Sequence, residues 1–157
     1  GATRWTIRQN SSISGAPPRW ATKLKRVPRT PTSWSSSIWA IVNVSSIAGL
    51  LGEGSSVPYI ASKGALNAMT LSLARALAPA IRVNAVCPGL IETRWHTSRF
   101  DAESYARFKE RYEGLVPLGK VATADDVADA IVWLIEGARV VTGELLMIDS
   151  GKHLGKF

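Results

Sequence analysis

Two short apolar runs, held apart by one helical stretch, constrain this chain more than any other feature. Ala40-Ile41-Val42-Asn43-Val44 is β-branched and ends at Ser45-Ser46, as a buried strand would. Ile81-Arg82-Val83-Asn84-Ala85-Val86-Cys87 is a second such run, stopped by Pro88-Gly89. Between them, residues 47–54 are glycine-rich and read as a loop. A helix follows, starting near Pro58 or Tyr59 and ending at Ala78-Pro79, because the residue before a proline is pushed out of helical geometry. Strand, loop, helix, strand is the unit of an open α/β sheet, and reactive side chains stand at the carboxyl ends of both strands. Ligands bind at those ends in such sheets.

The helix begins with Tyr59-Ile60-Ala61-Ser62-Lys63. Positions four apart lie one above the other on a helix, so the phenol and the ammonium are neighbours. A fixed positive charge beside a phenol attracts the negative charge left when its proton leaves. A serine hydroxyl from the Ser45-Ser46 pair, brought into the same space, is suited to hold a carbonyl oxygen while that proton moves. Together the three side chains make an acid/base centre for interconverting a ketone and an alcohol. A Tyr/Lys pair on a solvated helix is also a common accident, so the flanking strands carry much of the argument.

With those strands in place, the chain resembles the short-chain dehydrogenase/reductase family, in the carboxyl-terminal half of its ordinary form. The matching pieces are Ile41-Val42-Asn43-Val44-Ser45-Ser46, Tyr59-Ile60-Ala61-Ser62-Lys63-Gly64-Ala65, Arg82-Val83-Asn84-Ala85-Val86-Cys87-Pro88-Gly89 with Thr93, and Val141-Thr142-Gly143. They cover about residues 39 to 151. The resemblance implies a partial Rossmann-like, doubly wound parallel sheet made of the last three strands and their helices. It implies NAD or NADP as cofactor and a small-molecule carbonyl or alcohol as substrate. Tyr59 would be the general acid/base and Ser46 would hold the substrate oxygen. Lys63 would assist the tyrosine and bond the nicotinamide ribose. Gly89, Ile91 and Thr93 would contact the cofactor from the loop after the strand. Ser45 is the weaker partner, since adjacent strand residues point to opposite faces. Asn84 is expected to stabilise a turn.

Half of the family's apparatus has no counterpart here. Its cofactor half opens with a strand and a Thr-Gly-x-x-x-Gly-x-Gly turn whose amides hold the pyrophosphate. Gly49-Leu50-Leu51-Gly52-Glu53-Gly54 follows the wrong strand with the wrong spacing, and the family's catalytic asparagine is not matched near Pro18. Residues 1–38 hold seven basic side chains and no Asp or Glu, so the chain's net charge of +7 resides there. That segment has three tryptophans, four prolines and no helical or strand period, and is expected to be irregular or disordered. Its charge and rings would suit a polyanion-binding arm, and its acid-free composition a transit peptide. The reading carried forward is neither: a stretch foreign to the fold, joined to a dehydrogenase half at residues 39–157, so that nucleic acid is not an expected partner. A non-enzymatic remnant with a basic arm is the alternative function.

The remaining segments are conventional. The Tyr59 helix has a small face of Ala61, Ala65, Ala68 and Ser72 and a larger apolar face of Leu66, Met69, Leu73 and Leu77. In the family this helix packs across a subunit interface, so a homo-oligomer is implied; packing within the chain is the alternative. Asp101 to Glu113 reads as a second helix, with Tyr105, Phe108 and Tyr112 on one stripe. By the resemblance it closes over substrate, with Trp95 and His96 before it as candidate pocket residues. Thr123-Ala124-Asp125-Asp126 has capping-box spacing, and Val127, Ala130, Ile131 and Leu134 should face a core up to Gly137. The last strand, Glu144 to Asp149, ends at Ser150-Gly151, where the family usually has paired glycines. One cysteine excludes an internal disulfide and no run is long enough for a membrane span, so a cytoplasmic protein is expected. The Ile41–Val44 strand should expose an unpaired edge that invites self-association.

Overall fold

The computed structural model describes residues 39–93 and 101–155. The segment before residue 39, and with it every expectation about a basic arm, lies outside them. The core is a three-stranded sheet of β1 (Trp39–Val44), β2 (Ile81–Pro88) and β5 (Leu145–Ile148), in the order β1-β2-β5. All its pairings are parallel, with Ile41 opposite Val83 and Cys87 opposite Met147. The last three strands of the expected sheet therefore pair with one another, and β2, buried from Arg82 to Pro88, is their centre. A second, two-stranded pairing joins β3 (Ile91–Glu92) to β4 (Ala122–Thr123).

Helix α2 (Val57–Leu77) connects β1 to β2 and packs on one face of the sheet. Ser56 caps it by accepting from the Tyr59 amide, and Pro58 lies in the first turn, where its missing N–H costs nothing. On the other face sits α4 (Ala124–Val132). Its capping box is formed as the spacing predicts: the Asp126 amide donates to Thr123 Oγ1 and the Thr123 amide to Asp126 Oδ2. Val127 and Leu134 meet Val86 and Ala138 there, with Ala130, Ile131, Val42 and Ile148 around them. The helix does not run unbroken to Gly137. It changes to a single π turn over Trp133–Gly137, closed by the Ala138 amide on the Trp133 carbonyl.

That turn has a partner invisible in the local sequence. The Arg82 side chain, buried in β2, donates from Nη1 to the carbonyls of Leu134 (2.6 Å) and Ala138 (3.0 Å) and from Nη2 to Ile135 (2.7 Å). A helix end leaves carbonyls without intrahelical partners and carries partial negative charge, and the guanidinium answers both.

Two further expectations are corrected. Residues 47–54 are not all loop: Ala48–Leu51 form one helical turn, α1, closed by the Gly52 amide on the Ala48 carbonyl. The faces of α2 are also reassigned. Its buried residues are Asn67, Thr70 and Ala74, whereas Leu66, Leu73 and Leu77 are half-buried and Met69 is exposed. The physical reason is that β1 presents Asn43 and Ser45 to this helix, so polar side chains find partners there. Ala61, Ala65, Ala68 and Ser72 are exposed.

Candidate active site

The site gathers at the carboxyl end of β1. The Ser45 amide donates to the Val86 carbonyl and the Ile47 amide to Pro88, which continues the sheet pairing past the end of the strand. Ser46 is held between these two anchors. Its Oγ accepts from the Ala48 amide at 3.1 Å, which orients the side chain and leaves its own O–H free to donate. Ser45 points elsewhere, as strand alternation requires. It is buried and donates to Asn67 Oδ1 on α2 at 2.6 Å.

Tyr59 and Lys63 come together as their spacing predicts. Lys63 Nζ lies 5.7 Å from the centre of the Tyr59 ring, and it donates to the Val44 carbonyl at 3.0 Å. This bond ties the first turns of α2 to the strand end that carries Ser46. An ammonium has three N–H donors, so two remain for other acceptors. Tyr59 is 38% exposed, and its hydroxyl has no hydrogen bond among the described residues. The arrangement thus offers an accessible phenol, a cation beside it and a serine donor on the adjoining strand end.

The loop after β2 is more occupied than its sequence suggests. The Gly89 amide donates to the Ile148 carbonyl, and a Cβ there would lie 2.9 Å from the Tyr112 hydroxyl and 3.0 Å from Asp149. Close packing against α3 (Ala102–Leu115) and β5 thus accounts for this glycine without any ligand. The Ile91 side chain packs into the core beside Val86 and Val127, so its backbone is what it can offer a cofactor. Thr93 is half-buried at the margin of the described residues, and Trp95 and His96 lie outside them. Asn84 stabilises a turn as expected, accepting from the Glu144 amide and donating to the Val141 carbonyl.

The sequence reading missed two links around the site. Tyr112 accepts from the Leu90 amide at 3.2 Å, and Lys109 pairs with Glu92, so α3 is fastened to the loop after β2. At the end of β5, Asp149 is buried and bonded to His153 Nδ1 at 2.8 Å. Burial pushes its carboxyl up, but bonds from the His153 side chain and the His153 and Gly151 amides outweigh that and hold it below the ordinary value. In Cys87, beside Asn67 in the core, burial dominates and the thiol is pushed up.

A parallel sheet with helices on both faces, and a Tyr/Lys pair in the first turns of the helix that starts at its carboxyl edge, defines a Rossmann-like α/β unit. The comparisons narrow the class. Residues 32–153 match the family model described as enoyl-(acyl carrier protein) reductase. The short-chain dehydrogenase/reductase homolog YusR of Bacillus subtilis is 48% identical over 115 residues, covering 73% of this chain and 84% of that one. The 3-oxoacyl-(acyl-carrier-protein) reductase of Aquifex aeolicus is 37% identical over 113 residues, 71% of this chain and 44% of its own. A solved small-chain dehydrogenase in complex with NADPH superposes with a TM-score of 0.66 at 32% identity, covering 74% of this chain and 52% of that one. The chain belongs to the short-chain dehydrogenase/reductase family. It spans most of YusR but about half the length of several other curated relatives.

Proposed function

We propose that this chain carries the proton-transfer centre of an NAD(P)-dependent oxidoreductase that interconverts a carbonyl and an alcohol. The carrying observation is the position of Lys63, bonded to the Val44 carbonyl and set beside the Tyr59 ring. In the reducing direction Ser46 donates a hydrogen bond to the carbonyl oxygen and Tyr59 gives that oxygen its proton. The Lys63 ammonium attracts the negative charge left on the phenol, which regains its proton from solvent. In the oxidising direction the same groups act in reverse.

The nicotinamide, when bound, supplies or takes the hydride at the carbonyl carbon. The residues present suit its nicotinamide end: two Lys63 donors remain for ribose hydroxyls, and the Thr93 side chain and the Ile91 backbone flank the adjoining loop. No described residue provides a glycine-rich turn for the pyrophosphate. Association between copies of the chain, along β1 or the exposed small face of α2, belongs to the same proposal. The lone buried thiol of Cys87 suits a reducing compartment such as the cytoplasm.

The test is reduction of acetoacetyl-CoA by the full chain with NADPH or NADH, followed by nicotinamide absorbance. A 3-oxoacyl thioester is the first substrate to try because a relative is named for that chemistry. Tyr59→Phe should lower turnover by about 10²–10⁴-fold, the range for a general acid, with cofactor affinity changed little. Turnover that survives the substitution, or wild type without turnover on any carbonyl, sinks the reading.

A further inference from the structure

The contact between β1 and α2 is polar where a helix lying on a sheet is ordinarily apolar. Asn43 Nδ2 donates to Thr70 Oγ1 at 2.9 Å, and Ser45 Oγ to Asn67 Oδ1 at 2.6 Å, with the Lys63 carbonyl 3.3 Å from the same hydroxyl. Lys63 Nζ then reaches the Val44 carbonyl. Going up the strand from 43 to 45, the partners go back along the helix from 70 through 67 to 63.

The members are also aimed. Thr70 gives its own proton to the Leu66 carbonyl at 2.8 Å, which turns its oxygen toward Asn43. Asn67 is 5% exposed, and its Nδ2 has no partner among the described residues. A leucine there would leave no such orphan, so the amide is a poor choice for burial alone.

We infer that Asn43, Ser45, Asn67 and Thr70 form a polar zipper that sets the register of α2 on β1, and so places Lys63 at the Val44 carbonyl with Tyr59 beside it. Apolar contact is non-directional and tolerates sliding. Directional bonds at successive levels admit one alignment. A slip of one helical turn, about 5.4 Å, would carry Lys63 off the Val44 carbonyl and move Tyr59 with it. The four are positioning residues: none needs to touch substrate, and their action runs through the helix.

The decisive variant replaces the zipper by apolar side chains with the same branching or fewer heavy atoms, Asn43→Leu, Ser45→Ala, Asn67→Leu and Thr70→Val together, in the full chain. Its crystal structure should show α2 displaced along β1 and the Lys63–Val44 bond lost, without a lower melting temperature. A helix that stays in place with that bond intact overturns the inference. If the quadruple variant does not fold, Thr70→Val alone serves by the same criterion, and Thr70→Ser, which keeps the hydroxyl, should restore the wild-type alignment. The kinetic arm rests on the reaction proposed above. There kcat for acetoacetyl-CoA with NADPH should fall about a hundredfold, the usual cost of an ångström-scale misplacement, with KM changed less than about threefold. An equal loss through KM alone counts against positioning. Wild type without turnover sinks the proposed reaction and leaves the zipper to be decided by the coordinates.

Discussion

Ser150 has φ 57°, the left-handed region, one residue before Gly151 at φ 82°. A side chain there costs about 1–2 kcal/mol relative to glycine. Gly151 is not exchangeable in the same way, because a Cβ on it would lie 3.0 Å from the Pro117 ring. Ser150→Gly should therefore stabilise the chain by roughly 1 kcal/mol, read as a raised denaturation midpoint at unchanged slope. Next to it, Asp149 makes stability depend on acidity. Its carboxyl lies lower in the folded chain than in the unfolded one, because the bonds from His153 and Gly151 outweigh burial. The unfolded chain therefore takes up a proton first as pH falls. Asp149's contribution is complete above the ordinary carboxylate range and is lost as pH drops through the folded value. Denaturant titrations between neutral and strongly acidic pH should show Asp149→Asn losing less stability on acidification than wild type. Cys87, whose thiol burial pushes up, should resist thiol reagents in the folded chain and react on unfolding.

Among the elements, the π turn and β2 depend on one side chain. Arg82→Met keeps most of the apolar stem but strands the carbonyls of Leu134, Ile135 and Ala138 at a buried helix end. Bonds to a charged group are individually worth about 1.5–3 kcal/mol, so a loss of at least that size is expected in equilibrium unfolding. The strands of the main sheet were legible, since β-branched apolar runs bounded by Ser-Ser and Pro-Gly have few other readings, whereas the two-residue pairing of β3 with β4 was not. Tyr59 and Lys63 were legible because helical spacing alone makes them neighbours. Arg82 was not, because its partners lie more than fifty residues away in the chain. The buried face of α2 was misread for a related reason: Leu66 and Leu73 look like a core stripe until β1 is seen to offer Asn43 and Ser45. A four-residue helix such as α1 is too short to show a period at all.

At the scale of the whole molecule, β1 pairs on one side only among the described residues, and Trp39, Ile41 and Val44 on it are exposed. An unpaired edge with apolar side chains is a template for another strand. Sedimentation velocity on the full chain should show concentration-dependent association, and Ile41→Lys should shift the distribution toward the monomer. An unchanged distribution would place the contact elsewhere, with the exposed Ala61, Ala65, Ala68 face of α2 the next surface to alter.

Gly49 sits where α1 meets α2. A single added methyl there would sit 2.5 Å from the Lys63 carbonyl carbon and 2.7 Å from the Gly64 nitrogen. Main chain touches main chain at that point, and no flexible side chain can yield. Any effort to randomise the stretch from Ile47 to Gly54 should keep position 49 constant. Even alanine there would act as a wedge, prising the two helices apart at Lys63.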